Sequence, residues 1–222
     1  MKIIKNILFK KITRILSSKN IISPLCVLDF QIHANDIMDE WNNFINVSNK
    51  KLQPIDDVSV DQKYLNLDKK WKAFFLYGYN FYNDLNAEYF PKTSFLIKKW
   101  QIEITMVMFS TLESGKHIPL HKGRNFGVIR SQLGIDIKNP MQTGLKVNNK
   151  IVNLKEKELF TFDDTNEHEA WNNSNTNRTV LIIDTKKKLP FIYRIINNYI
   201  QKKIGNSEYI LNTIDNIKKQ NH

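Results

Sequence analysis

The chain has 222 residues, of which 41% are hydrophobic and 25% are charged, with only 7 Gly and 6 Pro. This composition is enough for one packed domain with an extension, and it excludes a wholly disordered, collagen-like or low-complexity chain. The net charge of +11 permits an anionic partner. No RNA-binding aromatic motif or zinc-finger spacing is present, so we expect no nucleic-acid partner.

The first 18 residues carry a partial apolar stripe, with lysines and an arginine mainly on the other side. Such a segment can pack on the domain, which we favour, or make peripheral contact with an anionic membrane through residues 1–18. The stretch has no signal-peptide cleavage pattern, and no run of about 18 apolar residues that could span a membrane occurs. The lone Cys26 fits a reducing compartment, so the sequence predicts a cytoplasmic protein.

Further along the chain, the spacing predicts a helix over 34–44, a loop over 57–61, a strand over 71–76 and a helix over 93–100. From residue 101 the pattern changes to short strands, predicted at 102–112, 127–135, 145–152, 158–162 and 179–184, with a hairpin turn at 148–149. So many short strands predict a sandwich or jelly roll.

The last segment, 190–219, has helical apolar spacing. We therefore divide the chain into a helical or irregular extension over 1–60, a mainly β domain over 61–188 and a C-terminal helical segment over 189–222.

Three of the five histidines lie in the strand-rich region: His117, His121 and His168. A lone histidine is more often structural than a ligand. His121 and His168, however, each follow a predicted strand, and Arg178 opens the next one. Two imidazoles at neighbouring strand ends suit iron, copper, nickel or zinc, and a nearby arginine suits a carboxylate.

These residues stand in a specific order that resembles the aspartyl/asparaginyl β-hydroxylase family, over roughly residues 70–185. Each motif alone is weak, and their order and spacing together are specific. The stretches that carry the resemblance are Phe109-Ser110, Gly115, His117, His121-Lys122-Gly123, Arg130, Leu133, Phe162-Asp163-Asp164, Glu167-His168-Glu169, Trp171-Asn172, Arg178, Leu181 and Asp184.

The resemblance implies a double-stranded β-helix, a jelly-roll, cupin-like core, that uses Fe(II), 2-oxoglutarate and O2. His121 and His168 would bind the iron. The family dispenses with the usual third carboxylate ligand, and Gly123 stands at that place here. One or more of the acids around His168 would orient its ring, or they form a solvated acidic loop; both readings stay open. His117 is predicted to be structural.

The resemblance also implies a cosubstrate site. Arg178 would pair with the distal carboxylate of 2-oxoglutarate, helped by the hydroxyl of Ser110. Arg130 would lie near the iron and contact substrate or cosubstrate. Gln132 is a departure, because the family usually has a histidine there; glutamine can donate a similar hydrogen bond to the cosubstrate but cannot carry charge.

We therefore expect hydroxylation of an unactivated C–H bond in a protein aspartyl or asparaginyl side chain, a lipid or glycan, or a small amino-acid-like molecule. Two alternatives stay open. One is a catalytically inactive cupin-like binding module, with Gln132 marking lost turnover. The other is a basic membrane-surface or nucleic-acid binder whose histidines are structural.

Overall fold

The computed structural model describes residues 23–48 and 50–219. The described chain is mainly antiparallel β-structure flanked by helices. Its strands are β1 Gln53–Pro54, β2 Trp71–Gly78, β3 Phe81–Tyr82, β4 Ile104–Leu112, β5 His117–His121, β6 Val128–Ile137, β7 Thr143–Val147, β8 Lys150–Val152, β9 Leu159–Phe162, β10 His168–Asn172 and β11 Arg178–Lys186. Its α-helices are α1 Leu25–Ile32, α2 Ala34–Val47, α3 Ile55–Val58, α4 Asp84–Ala87, α5 Pro91–Trp100, α6 Phe191–Gly205 and α7 Glu208–Lys219, and two 3-10 helices cover Val60–Leu65 and Pro140–Gln142.

The strands form two sheets. The large sheet has the order β1-β2-β4-β11-β6-β9, with β3 paired to β2, and the small sheet has the order β5-β10-β7-β8. From β4 to β11 the chain passes back and forth between the two sheets, which is the winding of a double-stranded β-helix. The predicted jelly-roll fold is confirmed.

All five predicted strand regions contain strands, and the hairpin between β7 and β8 turns at Asn148, whose φ is 52°. The prediction missed β5 and β10 as strands. Both are five residues long and have exposed or half-exposed polar positions, so they lack the dense apolar run that marks a core strand.

The central strands β4, β6 and β11 are buried on both faces because each face covers a different core. The first core lies between the outer face of the large sheet and the helices α1, α2 and α5. Helix α2 supplies Trp41, whose ring stacks on Phe109 of β4 with centroids 4.7 Å apart. The second core fills the space between the two sheets.

The predicted loop at 57–61 is wrong, since this stretch lies in α3 and the following 3-10 helix. Contacts beyond its own sequence hold it: Asp56 accepts a hydrogen bond from Asn66 at 2.7 Å and pairs with Lys69. The predicted amphipathic stripe at 1–18 lies outside the described residues. Among the described residues, none of the helices has the length and apolar character needed to cross a membrane.

The predicted C-terminal helices are present as α6 and α7. Helix α7 packs beside α3, where the Tyr209 and Ser59 hydroxyls hydrogen-bond to each other and the Asn216 amide donates to the Val58 carbonyl at 3.5 Å. These contacts place α7 across one end of the space between the sheets.

Candidate active site

A cavity of about 640 Å³ lies at the end of the β-helix that α7 covers. Its strand-side wall comes from five strands, β2, β4, β5, β6 and β11, and from the β5–β6 and β9–β10 loops. Its opposite wall comes from α3, the 3-10 helix that follows it, α6 and α7. The strand-side lining includes Met106, Met108, His121, Arg130, Asp164 and Asp184, and the helical lining includes Ile55, Val58, Ile204, Tyr209, Ile210, Ile214 and Ile217.

The two predicted metal ligands meet at this end. His121 is the last residue of β5, His168 is the first residue of β10, and the antiparallel register places them directly opposite each other. Their ring centroids are 4.1 Å apart. Phe162 packs against the His168 ring at 5.3 Å, so the imidazole is held between β5 and β9.

Both rings are oriented through Nδ1. The Nδ1 of His121 lies 2.8 Å from the carbonyl oxygen of Pro119, and that of His168 lies 2.9 Å from the carbonyl oxygen of Asn166. A carbonyl only accepts, so each Nδ1 carries the hydrogen, and each Nε2 is left with a free lone pair. Burial, with the neighbouring His168, lowers the pKa of His121 to about 4, and burial lowers the pKa of His168 to about 4. Both rings are therefore neutral at pH 7, which is the protonation state of a metal ligand.

Gly123 stands where other enzymes of this chemistry have a carboxylate ligand, and the side chain of Asp164 occupies the space next to it. A Cβ built on Gly123 would lie 1.6 Å from Oδ2 of Asp164, so a side chain at 123 would collide with that carboxylate. The Asp164 Oδ1 lies 3.4 Å from Nε2 of His168. In the described part of the chain, no three His, Cys, Asp or Glu side chains are arranged to hold a metal ion. The donor set is therefore two imidazoles with one acid beside them.

Arg130 lies between two acids. Its Nε and Nη2 donate to the two carboxylate oxygens of Asp184 at 2.8 Å each, and its Nη1 donates to Asp164 at 2.6 Å. Burial opposes the charge, but Asp164 and Asp184 outweigh it and raise the Arg130 pKa. All three nitrogen atoms of this guanidinium thus already donate to carboxylates.

Arg178 is more deeply buried, with 2% of its surface exposed, and no acid among the described residues pairs with it. Its Nη2 donates to Oε1 of Gln132 at 3.1 Å, and its Nε has no hydrogen-bond partner among the described residues. Burial alone lowers its pKa to about 10, so the group stays protonated at pH 7. A buried cation without a counter-ion is costly, and an anionic ligand would compensate it.

Ser110 lies next to this guanidinium on the neighbouring strand. It pairs with Val180 in the β4–β11 register, which places it diagonal to Arg178 on the same face of the sheet. Its hydroxyl accepts a hydrogen bond from Nε1 of Trp71 at 2.9 Å. Ser110, Gln132 and Arg178 thus form a second group, deeper between the sheets than the cavity-lining His121 and Arg130.

The acids around His168 differ in environment. Asp163 is buried in an ion pair with Lys187 at 2.6 Å, whereas Glu167 lies at the surface near Lys122. Glu169 pairs with His117, whose side chain is 54% exposed, so His117 lies outside the site as predicted. The sequence left Asp164 as one of four acids around His168, and its place four residues before His168 is the signal that would have favoured it.

Comparison with known proteins gives a consistent match. The family description "Aspartyl/Asparaginyl beta-hydroxylase" matches residues 31–188. The ornithine lipid ester-linked acyl 2-hydroxylase of Rhizobium tropici is 34% identical over 170 residues, which are 76% of this chain and 60% of that protein. The mouse aspartyl/asparaginyl beta-hydroxylase is 29% identical over 121 residues, which are 51% of this chain and 16% of that protein.

This chain therefore spans less than two thirds of the length of either relative. Among solved structures, a predicted oxalate decarboxylase of Thermotoga maritima aligns with a TM-score of 0.35 and 16% identity, covering 53% of this chain and 81% of that one. That similarity is too low to carry an argument. The fold assignment here depends on the strand order.

Proposed function

This chain belongs to the aspartyl/asparaginyl β-hydroxylase family, and we propose that it is an iron(II)- and 2-oxoglutarate-dependent hydroxylase of an acyl chain in a lipid. The observation that carries the cosubstrate is Arg178, a buried guanidinium with an unpaired Nε and no counter-ion. A five-carbon dicarboxylate that reaches from a metal to this arginine would supply the missing charge.

The histidine pair fits a metal by its donor chemistry. Both Nε2 atoms have a free lone pair and both rings are already neutral, so no proton has to leave before a divalent ion binds. Imidazole donors suit iron among other ions. His121 and His168 would hold the iron, and the Asp164 carboxylate, 3.4 Å from Nε2 of His168, would add a negative charge beside the bound cation.

When bound, iron(II) supplies the activation of O2 that oxidises 2-oxoglutarate to succinate and CO2 and puts one oxygen atom into a C–H bond. The protein's residues bind and orient. Arg178 would bind the distal carboxylate through its unpaired Nε, and Gln132 fixes the guanidinium plane through its amide oxygen. The hydroxyl of Ser110 would add a hydrogen bond on the same face of the sheet. Trp71 orients that hydroxyl.

The substrate class follows from the cavity wall. Most of its lining is aliphatic or aromatic, from the methionines of β4 to the isoleucines of α7, and such a surface suits a hydrocarbon chain. Of the three cations in the lining, Arg130 has all three nitrogens engaged by Asp164 and Asp184, and Lys122 and Arg124 pair with Glu167 and Asp61. Because Asp164 and Asp184 together outnumber the charge of Arg130, this part of the cavity disfavours binding of a negatively charged aspartyl side chain. The name of the Rhizobium tropici relative supports the same substrate class.

The test is 2-oxoglutarate binding to the anaerobic Fe(II)-loaded chain, followed by succinate release on exposure to O2. We expect succinate to rise with a detergent-solubilised lipid carrying ester-linked acyl chains, and to rise less with a peptide containing Asp and Asn. The His168→Ala variant is the inactive control, because it removes one of two protein ligands. Binding of iron and 2-oxoglutarate without succinate for any substrate would instead identify a cupin-like binding module.

A further inference from the structure

Helix α6 has an inverted distribution of polar and apolar side chains. Its fully buried residues are Asn197, which donates to the Gly127 carbonyl, and Gln201, which hydrogen-bonds to Asn125. Its exposed residues include large apolar ones, at 53–69% exposure: Phe191, Ile192, Ile195 and Tyr199. We call these four residues the apolar face of α6.

This apolar face lies within one third of the helix circumference, because successive residues rotate by about 100°. Four large apolar side chains on one face of a helix indicate an interaction surface. The polar contacts of Asn197 and Gln201 hold the helix in this orientation, so the apolar face cannot turn inward without breaking them.

The charged side chains of helix α6 itself are all positive. Helix α6 contains Arg194, Lys202 and Lys203 and no acidic residue, and Lys188 precedes it at an exposed position. Arg194 lies over the Phe191 ring and Lys203 lies over the Tyr199 ring, so the cations border the apolar side chains directly. Apolar side chains bordered by lysine and arginine match an anionic lipid surface, which offers both a hydrocarbon layer and negative headgroups.

The same helix also forms part of the cavity. Its Ile204 lines the cavity wall, and α7, which follows after two residues, contributes more of the lining than any other helix. A lipid surface in contact with α6 would therefore lie next to the space that we propose for the acyl chain. This continuity depends on the proposed function, whereas the exposure and charge of α6 do not.

We infer that the apolar face of α6 docks the protein on an anionic lipid bilayer. Charge disfavours other occupants. A second copy would bring the same +11 charge and the same basic helix to the face. The segment 1–22 carries six lysines and arginines and no acid, so it too would oppose the cations of α6.

The test is sedimentation of the full chain with vesicles of phosphatidylcholine alone or mixed equally with phosphatidylglycerol. The wild type should bind the mixed vesicles, and Ile192→Ser/Ile195→Ser should bind them about tenfold more weakly or worse. Lys202→Ser/Lys203→Ser should weaken binding to mixed vesicles only at low salt. The matched control is Met141→Ser/Ile151→Ser, which removes two similarly exposed apolar side chains at the small-sheet side and should bind like the wild type.

Three results would overturn the inference. The first is wild-type binding by the α6 variant, and the second is an equal loss in the control. The third is that the wild type is a dimer, the α6 variant is a monomer and neither protein binds vesicles. The apolar face of α6 would then join two copies of the chain. Succinate release from detergent-solubilised lipid separates this inference from the proposed function. If vesicle binding depends on α6 but neither the wild type nor any variant forms succinate, the docking inference is supported and the proposed hydroxylase function is wrong.

Discussion

Arg178→Met should stabilise the cosubstrate-free protein and abolish its response to 2-oxoglutarate. The variant keeps a long side chain and removes an unpaired buried charge. A pKa that falls from 12.5 to about 10 corresponds to about 3 kcal/mol of destabilisation at pH 7. The lost bond to Gln132 takes back about 1 kcal/mol. The net gain in the free energy of unfolding should be about 1–3 kcal/mol.

The control is Arg130→Met, the same substitution at an arginine whose side chain is 20% exposed and has two acidic partners. Because Arg130 neutralises Asp164 and Asp184, its removal leaves two carboxylates uncompensated and should cost about 3–5 kcal/mol. The two variants should therefore shift stability in opposite directions. This contrast follows from the counter-ions, since Arg130 has two and Arg178 has none among the described residues.

The assay is urea unfolding of the three proteins, with anaerobic Fe(II) and with or without 2-oxoglutarate. At 100 times its Kd the cosubstrate should stabilise the wild type by about 2.7 kcal/mol and leave Arg178→Met unchanged. Equal destabilisation by both arginine substitutions would refute the unpaired state of Arg178. If 2-oxoglutarate stabilises Arg178→Met as much as the wild type, the distal carboxylate must bind to a cation other than Arg178.

Three further outcomes are expected. His121→Ala or His168→Ala should abolish Fe(II) binding measured by equilibrium dialysis, whereas the surface variant His117→Ala should keep it. Full Fe(II) stoichiometry in both His121→Ala and His168→Ala would contradict the metal site. Gln132→Leu should weaken 2-oxoglutarate binding by about 1–3 kcal/mol in calorimetry, because the Arg178 guanidinium loses the hydrogen bond that orients it. Gln132→His should bind 2-oxoglutarate at least as well as the wild type. Equal 2-oxoglutarate affinities in all three proteins would show that Gln132 is not part of the site. Burial holds the pKa of both site histidines near 4, so these histidines take up protons in the unfolded chain first as the pH falls below 6.5. The free energy of unfolding of the metal-free protein should therefore decrease between pH 6.5 and 4. The same pH dependence of unfolding in His168→Gln as in the wild type would contradict this.

Part of the fold was predictable because it depends on local pattern. The apolar spacing of 34–44 gave α2, and Pro91 followed by an amphipathic stretch gave α5, with Lys98 and Lys99 exposed as expected. The short strands β5 and β10 escaped prediction because small-sheet strands have one partly exposed face. The loop prediction at 57–61 is wrong because the helical turns there depend on contacts of Asp56 with Asn66 and Lys69, which lie outside the segment.

By itself, the sequence determined the candidate residues and the family: His121, His168 and Arg178 stand in an order and spacing that indicated the family, and the family match confirms that assignment. Their environments were decided by the tertiary structure alone. Arg130 and Arg178 both lie in strands, yet one has two carboxylate partners and the other has none. Those partners lie 34 and 54 residues away from Arg130 along the chain, so no local pattern encodes them.

The same reason applies to α6. Its apolar spacing predicted a helix correctly, and the ordinary expectation from that spacing is an apolar face turned toward the core. The tertiary structure reverses the expectation because Asn197 and Gln201 find hydrogen-bond partners in the loop before β6, about 70 residues earlier. Burial of a helix face depends on what the rest of the chain offers to it, and only the folded arrangement of distant segments supplies that.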